Sequence, residues 1–286
     1  MIEIQRFYRV RMNMQAQKRY EGRPAQVVEV RARAIVDLVR AQGFQTIDAL
    51  AAEFSVTPQT IRRDVNSLCD LGLMRRRHGG VELPPQGENL AYQARQVLNI
   101  DAKRRIARMV ADDVPERASL FFGIGTTPEQ CALALVERAG LRVMTNNLNV
   151  AMLLCRNPGC EITIAGGRVR NRDRDVIGGE CHDFFDRFAV DIGIFGVGGI
   201  AADGTLLDFS LDEVAVRRSL SNHCRQRYLV VDHSKFGRDA TVRGGHITEA
   251  SAVYTDQPVP AAIGALLDEA GVRLCIYPDE SHPNPI

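Results

Sequence analysis

The stretch TPQTIRRDVNSLCDLG, residues 57–72, contains the signals for both ends of one helix. Thr57 can cap the helix through its hydroxyl, and Pro58 suits the first helical position because it has no amide hydrogen to leave unsatisfied. Gly72 can adopt the left-handed conformation that ends a helix. The apolar residues that share one face at helical spacing are Ile61, Val65 and Leu68. The sequence therefore predicts an amphipathic helix with one packed face and one polar face.

The polar face of this helix carries side chains that can read DNA. Arginine can bind guanine edges or phosphates with two hydrogen bonds, and asparagine or glutamine can do the same to adenine. An ordinary amphipathic helix with a solvated basic face would show a similar pattern, so the neighbouring sequence must distinguish the two. The candidate DNA-binding residues of the helix are Gln59, Thr60, Arg62, Arg63 and Asn66.

The sequence on either side of this helix predicts a winged helix-turn-helix. An apolar stripe through Ile35 and Val39 indicates a helix that ends near Gly43, and Thr46 can cap a short second helix. Helix, short helix, turn and capped helix is the order in which the last helix enters the major groove. A basic stretch follows and ends in a glycine pair, which suits a hairpin wing along the phosphate backbone. The candidate DNA-binding residues of this wing are Arg75, Arg76, Arg77 and His78.

Length and charge indicate two domains with different tasks. The chain has 286 residues, which is long for one domain and comfortable for two. Its net charge is only +1, yet residues 1–85 carry 14 Lys and Arg against 9 Asp and Glu, and the remainder carries 22 against 26. Positive charge thus coincides with the helix-turn-helix, as expected of a nucleic-acid module joined to another domain. Solubilisation alone would also account for a basic patch.

We expect five segments along the chain. The first residues show no clear pattern, and we expect a disordered arm or a misplaced start, with Met12 or Met14 as the alternative first residue. Pro84, Pro85 and Gly87 indicate a linker. The expected segments are the arm 1–24, the winged helix-turn-helix DNA-binding domain 25–83, the linker 84–100, the effector-sensing α/β domain 101–277 and the tail 278–286.

Cysteine usage and hydropathy indicate a cytoplasmic protein. The seven cysteines form no CxxC pair, and most lie in apolar surroundings typical of buried free thiols. No apolar run reaches the roughly 18 residues that span a bilayer, and the basic N-terminal segment lacks the apolar stretch of a signal peptide. We expect no membrane association, no metal site and no cofactor.

After residue 100, short apolar runs alternate with helical patterns. Such alternation predicts a mostly parallel sheet covered by helices on both sides. Ligands of these folds bind at the carboxyl ends of the strands. The predicted strands are 119–123, 142–145, 161–165, 191–197, 228–231, 252–254 and 272–276, and the predicted helices include 128–138, 148–155, 211–222 and 260–270.

The loop after the first of these strands suits a phosphate. Gly123 and Gly125 let the backbone approach a ligand closely, and Thr126 and Thr127 stand at a helix start whose amides and dipole favour an anion. No GK[ST] follows as in a Walker A loop, and Pro128 stands where the dinucleotide fingerprint needs its third glycine. A tight structural turn is the alternative interpretation.

Four further loops at strand ends are polar or rich in glycine. The side chains that they would add to a polar mouth are Asn146, Arg168 and Lys235, the last being one of three lysines in the chain. Asp208 and Glu213 could bind sugar or polyol hydroxyls in the same mouth, although a carboxylate at a helix start can equally serve as a cap. A phosphorylated polyol or sugar is the ligand class that needs cation, amides and carboxylates together.

These stretches resemble the DeoR family of bacterial transcriptional regulators. TPQTIRRDVNSLCDLGLMRRRHGG is similar to the winged helix-turn-helix of that family. GIGTTPE, TNNLNVA, AGGRVRNRDRDVIGG, DGTLLDFSLDEV, LVVDHSKFGR and AVYTD are similar, in the same order, to its sugar-phosphate-sensing domain. The resemblance covers roughly residues 31–256 and looks closest to the repressors of glycerol 3-phosphate regulons. Two departures are Val81, where the family usually has alanine, and a more basic wing at Arg76 and Arg77.

The resemblance implies a fold, a ligand and a mode of action. The second domain would share its fold with ribose-5-phosphate isomerase, with residues 123–127 on the phosphate and Asp208, Glu213 and Lys235 around the remainder of the ligand. The protein would repress a carbohydrate or polyol catabolic regulon, binding double-stranded operator DNA as a homo-oligomer, dimer or tetramer. Glycerol 3-phosphate would release it, and an alternative keeps the repressor but changes the inducer to another sugar phosphate.

An enzyme is the alternative of another class. A sugar-phosphate isomerase or deaminase fused to a DNA-binding module would carry the same motifs. Aldose–ketose isomerisation needs a carboxylate base within hydrogen-bond reach of the substrate proton, and the candidates are Asp208, Glu213 and Asp232. Because no His or Cys constellation supplies another chemistry, we predict a sensor without catalytic activity.

Overall fold

The computed structural model describes residues 25–70, 72–84 and 92–278. The chain divides between Pro84 and Pro85 into two compact units. The expected arm 1–24, Leu71, residues 85–91 of the expected linker and residues 279–286 of the expected tail lie outside the described residues.

The first unit is a winged helix-turn-helix, as predicted. Its helices are α1 (Ala25–Gln42), α2 (Ile47–Glu53) and α3 (Pro58–Asp70), and its strands are β1 (Gln45–Thr46), β2 (Arg75–Arg77) and β3 (Gly80–Glu82). The strands form an antiparallel sheet in the order β1-β3-β2. The side chains that close the core of this unit are completely buried: Ile35, Leu50, Ile61 and Val81.

The ends of α3 follow from local chemistry. The Thr57 hydroxyl accepts a hydrogen bond from the Thr60 amide at 3.2 Å, which satisfies one of the donors exposed at a helix start. At the other end Gly72 has φ +73°, and the Leu73 amide donates to the Leu68 carbonyl at 2.9 Å. This is the glycine-terminated helix end that the sequence predicts.

A buried ion pair fixes α3 against α1. Asp64 lies on the packed side of α3, and its two carboxylate oxygens accept from Arg31 Nε at 2.6 Å and Nη2 at 3.1 Å. A bidentate ion pair of this kind fixes the relative orientation of the two side chains as well as their distance. The polar side of α3 is therefore held at a defined angle on the unit.

The second unit is built on seven strands that all run parallel. They are β4 (Ser119–Phe122), β5 (Arg142–Thr145), β6 (Glu161–Ile164), β9 (Val190–Phe195), β12 (Cys224–Val230), β14 (Ala252–Thr255) and β15 (Arg273–Ile276). Their order across the sheet is β15-β14-β12-β9-β4-β5-β6. The prediction of a parallel sheet is confirmed, with strand ends that differ from the predicted ones by a few residues.

Helices cover both faces of this sheet. One face packs against α5 (Ile100–Asp113), α6 (Thr126–Ala134) and α7 (Leu148–Leu154). The other packs against α8 (Gly179–Asp186), α9 (Leu211–Asn222) and α10 (Ala261–Glu269). Along β4 the side chains alternate between the two cores, since Leu120 and Phe122 belong to the first and Phe121 to the second.

Several elements of the second unit were not expected from the sequence. The hairpin of β7 (Arg168–Arg170) and β8 (Asp175–Ile177) precedes α8, and a small antiparallel sheet contains β10 (Gly199–Ile200), β11 (Thr205–Asp208) and β13 (Val242–His246). Helix α4 (Tyr92–Val97) lies where a linker up to residue 100 was expected. Tyr92 and Ala94 are buried in the second unit, so this unit begins before residue 101.

No helix within the described ranges is both long and apolar enough to cross a membrane.

Candidate functional site

The polar face of α3 presents most of the predicted DNA-reading side chains to solvent. Gln59, Arg62, Arg63 and Asn66 are exposed. Thr60 is half-buried, and its hydroxyl lies 2.9 Å from that of Thr57, so it takes part in the helix cap. The fold thus leaves a row of long polar side chains on one side of a rigid helix.

The wing carries its positive charge on β2. The Glu82 carboxylate accepts from Arg75 Nη2 at 2.6 Å and from Arg77 Nη1 at 2.8 Å, and these guanidinium groups hold the pKa of Glu82 below its usual range. Arg76 instead donates to Asn66 on α3, and His78 is exposed in the turn. Because exposed ion pairs are worth little, these arginines can exchange a carboxylate for a phosphate at small cost.

A pocket in the second unit lies at the carboxyl ends of β4, β9 and β12. It encloses about 540 Å³ including its open mouth, a size suited to a small metabolite. Of the nine residues predicted to bind an effector, those that line it are Gly125, Thr126, Thr127, Asp208, Glu213 and Lys235. Gly123 lines a smaller adjoining cavity that also touches Asp208 and Glu213.

The loop between β4 and α6 has the backbone geometry expected of an anion cradle. Gly125 has φ +125°, a conformation that side chains disfavour, and it caps α6 without a side-chain hydrogen bond. The first amides of α6 therefore keep their hydrogens for a ligand. Glu129 in the first turn is buried and accepts from Asn147 Nδ2 at 3.2 Å and from Tyr92, and burial raises its pKa.

Lys235 provides a cation at the pocket wall. It ends a short 3-10 helix that follows β12, and its ammonium makes no hydrogen bond or ion pair with any other described residue. Burial, the largest cause, and the neighbouring cations Arg238, Lys103 and Arg95 together lower the pKa of Lys235 to about 7, against the opposing effect of Asp232. An anion in the pocket would relieve this repulsion.

Two arginines in the pocket were missed by sequence reasoning. Arg238 lines the wall, donates to the Gly198 carbonyl at 3.1 Å and lies 5.0 Å from the centre of the Phe209 ring. Arg95 lines the wall from α4 and pairs with Asp173. Burial and the charge of Arg95 lower the pKa of Arg238. A basic residue in an irregular loop or a presumed linker gives no periodic signal, so only the fold brings these two to Lys235.

The two carboxylates of the pocket are held by neighbouring residues. Asp208 accepts from the Gly198 amide at 2.8 Å and from Arg217 at 2.9 Å, and burial raises its pKa. Glu213 accepts from Arg170 at 2.6 Å and, at 3.3 Å, from the amide of Phe209. Asp208 Oδ1 and both Glu213 oxygens accept one of these bonds each and keep a further lone pair, so both carboxylates can accept a ligand hydroxyl. Their positions are fixed before a ligand arrives.

Two predicted effector residues lie away from the pocket. Asn146 is buried, and its Nδ2 donates to the Val176 carbonyl at 2.9 Å, so its amide ties the β7–β8 hairpin to the end of β5. The side chain of Arg168 is 75 % exposed and lies 3.7 Å from Asp212. Arg168 is the first residue of the β7–β8 hairpin, which carries its side chain outward. A direct loop from β6 to a helix would have placed this side chain at the strand ends. The structure thus assigns neither side chain to the pocket.

The described residues contain no group of three or more His, Cys, Asp or Glu side chains that could hold a metal ion.

A winged helix-turn-helix joined to an α/β unit with an anion-suited pocket defines a class of protein, the ligand-sensing transcriptional regulator. Two family models match the chain, the DeoR-like helix-turn-helix domain over residues 31–86 and the DeoR C terminal sensor domain over residues 98–257. The chain belongs to the DeoR family.

Curated relatives match almost end to end. The chain is 44% identical over 244 residues to the glycerol-3-phosphate regulon repressor of Escherichia coli (strain K12), covering 85% of this chain and 97% of that protein. It is 42% identical to the repressor of the same name from Haemophilus influenzae, covering 86% and 96%. It is 36% identical to the HTH-type transcriptional repressor CsqR of E. coli, covering 85% and 93%.

Among solved structures, ribose 5-phosphate isomerase A from Methanocaldococcus jannaschii resembles part of the chain with a TM-score of 0.36 and 15% identity. The match covers 48% of this chain and 55% of that one. The likeness is too distant to inform function.

Proposed function

We propose that the protein is a cytoplasmic repressor of a glycerol 3-phosphate regulon, released from its operator by glycerol 3-phosphate. The observation that carries the effector assignment is the pocket itself. It combines the ammonium of Lys235, which bonds to no other described side chain, with the amides of the loop at Gly125 and with two fixed carboxylates, Asp208 and Glu213. A phosphate on a small polyol uses all three kinds of group. The near full-length similarity to glycerol-3-phosphate regulon repressors supports the same ligand.

In this proposal the first unit binds double-stranded operator DNA. The polar side of α3, with Gln59, Arg62, Arg63 and Asn66, reads base edges, while the arginines of β2 contact phosphates. One such unit makes few base contacts, so the protein binds paired half-sites as a homo-oligomer.

Effector binding lowers DNA affinity because the effector binds the two conformations of the repressor unequally. Phosphate is held by the loop from Gly123 to Thr127 and by Lys235, while Asp208 and Glu213 accept the hydroxyls. Arg168 and Asn146 have no place in this arrangement, since both lie outside the pocket.

The test is operator binding titrated with a panel of phosphorylated metabolites. A DNA site is selected in vitro from a random-sequence pool, and fluorescence anisotropy follows release by glycerol 3-phosphate, hexose phosphates, ketose phosphates and inorganic phosphate. Release by glycerol 3-phosphate at the lowest concentration supports the proposal. Release by a hexose or ketose phosphate alone would support the repressor function and contradict glycerol 3-phosphate as the inducer.

We further propose that the pocket does not catalyse isomerisation. The relatives that match the chain almost end to end are named as repressors. The three candidate bases also serve protein groups, since Asp208 and Glu213 each accept from an arginine and Asp232 accepts from Asn99 Nδ2 and from the Ser234 amide, both at 3.0 Å. Coupled assays with ribose 5-phosphate and glucosamine 6-phosphate should give no turnover, and measurable turnover would contradict the sensor interpretation.

A further inference from the structure

Helix α4 contributes Arg95 to the pocket wall and is fastened to neighbouring elements of the second unit at three points. The Tyr92 hydroxyl donates to Glu129 in the first turn of α6, directly after the phosphate loop. The Arg95 guanidinium pairs with Asp173 in the β7–β8 hairpin. The Lys103 ammonium donates to the carbonyl groups of Arg95 and Leu98 near the end of the helix. These contacts tie α4 to α6, to the β7–β8 hairpin and to α5.

Arg95 has donor capacity that protein groups do not use. Its side chain is 17% exposed, its Nη2 bonds to Asp173, and its Nε is buried without a hydrogen-bond partner among the described residues. It shares the pocket wall with Lys235 and Arg238. Three cations around one cleft repel one another until an anion enters.

Asp173 would not be left without a partner if Arg95 turned from it. The Arg170 guanidinium lies 3.4 Å from Asp173 and also bonds to Asp175 at 2.8 Å and to Glu213 at 2.6 Å. A buried carboxylate that loses its sole partner is costly, but this one retains a second cation. The exchange of Asp173 for a ligand anion at Arg95 is thus energetically accessible.

We propose that Arg95 is a phosphate-binding residue of the effector pocket, and that the exchange of Asp173 for phosphate at Arg95 couples the pocket to helix α4. This inference rests on the proposed function for the nature of the ligand. In chain order, only residues 85–91 separate Pro84, the last residue of the first unit, from Tyr92. A shift of α4 is therefore delivered to the segment that leads into the DNA-binding unit.

The coupling has a defined thermodynamic source. Phosphate and Asp173 compete for one guanidinium, so the ligand stabilises the conformation in which Arg95 faces the cleft. A ligand that made the same contacts in both conformations would shift nothing. A competition of this kind also predicts that a weaker bond between Arg95 and Asp173 gives tighter binding of the ligand.

The experiment compares three full-length variants with the wild type. Arg95→Gln removes the proposed cation, and Asp173→Asn weakens the competitor while it keeps an acceptor for Arg170. Arg108→Gln is the matched control, because Arg108 is an exposed arginine of α5 outside the pocket. Calorimetry measures the affinity for inorganic phosphate and for glycerol 3-phosphate, and thermal unfolding without ligand verifies that each variant is folded.

We expect Arg95→Gln to weaken phosphate binding by roughly 10-fold or more, the usual effect of losing a charge-assisted hydrogen bond. We expect Asp173→Asn to strengthen it by about threefold or more, and Arg108→Gln to match the wild type. A residue with a merely structural role would lose affinity in both pocket variants. Arg95→Gln with the affinity of Arg108→Gln, or Asp173→Asn with weakened binding, would overturn the proposal.

Hydrogen exchange tests the coupling separately. Phosphate should change the amide exchange of residues 92–97 in the wild type, and Arg95→Gln should abolish that change. Unchanged exchange of these residues in the phosphate-bound wild type would refute the coupling. If phosphate binding depends on Arg95 while glycerol 3-phosphate fails to release operator DNA, the proposed function fails and this inference stands. If glycerol 3-phosphate releases the wild type and Arg95→Gln alike from operator DNA, the proposed function stands and this inference fails.

Discussion

Lys235 is the residue at which ligand binding and folding make opposite demands. Its side chain lies beside other cations, and burial of the ammonium together with those charges lowers its pKa to about 7. A desolvated cation without a partner destabilises the folded chain, but the same cation attracts an anion strongly. Two predictions follow from this single side chain.

The first concerns the pH dependence of effector affinity. Above about pH 7 Lys235 increasingly loses its proton, whereas a phosphate monoester, with a second pKa of about 6, is already a dianion. Affinity for glycerol 3-phosphate should therefore fall between pH 7 and pH 9, by up to about tenfold per pH unit. Calorimetry over this range measures the fall. Lys235→Arg keeps its charge and should flatten the profile, and identical profiles for the two proteins would contradict the assignment.

The second concerns stability without ligand. The pKa of Lys235 falls from 10.5 to about 7 on folding, so between these pH values the unfolded chain holds a proton that the folded chain releases. This destabilisation is full below about pH 7 and disappears as the pH rises toward 10.5. Lys235→Met should then stabilise the protein by about 1–2 kcal/mol at pH 7, a few degrees in Tm. The gain should shrink by pH 9.5. Thermal unfolding at both pH values measures it, and a loss of stability at pH 7 would contradict the prediction.

At the scale of elements, helix α3 has one side that packs on the core and another that is exposed. Ile61, Val65 and Leu68 fasten one side to the core, and Asp64 holds it to α1 through Arg31. The exposed side chains can therefore change without disturbing the fold.

We predict that Arg63→Ala weakens operator binding by about 1–3 kcal/mol, the cost of a lost base contact. Arg63 is exposed and lies on the polar side of the helix, so Tm should stay within about 1 °C. Fluorescence anisotropy with the selected operator measures the loss. Arg40→Ala on α1 removes the same charge from another helix and should bind nearly as the wild type does. Equal losses in both variants would indicate a general electrostatic effect instead of a reading contact.

Elements whose ends are set by local chemistry could be predicted from the sequence. The Thr57 cap and Gly72 define α3, and the apolar runs define the seven strands because buried parallel strands are apolar on both faces. Helix α4 and the β7–β8 hairpin could not be predicted, because long-range contacts stabilise them. Tyr92 reaches Glu129, and Asn146 holds the hairpin through a backbone carbonyl.

The residues of the candidate pocket also fall into those that could be predicted from the sequence and those that could not. Gly125 and Lys235 lie in the loops after β4 and β12, and the parallel sheet places the carboxyl ends of its strands at one edge, so their convergence follows from the sequence. Asp208 ends β11 in the small antiparallel sheet, which the sequence did not predict. Arg95 and Arg238 come from segments without periodic pattern. Arg168 follows a predicted strand, but it begins a hairpin that the sequence did not predict, and its side chain lies outside the pocket lining.

At the scale of the whole molecule, the two tasks are divided between two units with their own cores. The buried residues of the first unit and the two cores of the second are separate sets of side chains. We expect substitutions in separate cores to have additive effects on free energy, as independent sites do.

We therefore predict that Arg63→Ala and Lys235→Ala are separable and additive. Arg63→Ala should weaken operator binding and leave the effector Kd within about twofold of wild type, because its side chain lies on the exposed polar side of α3, in the first unit. Lys235→Ala should bind the operator as wild type does without effector, yet fail to be released by glycerol 3-phosphate. In the double variant, the effector-free operator affinity should match that of Arg63→Ala within about 0.5 kcal/mol. Anisotropy titrations of all four proteins, with and without glycerol 3-phosphate, provide the measurement. A coupling energy above about 1 kcal/mol between these two sites, or normal release of Lys235→Ala, would contradict the division of tasks.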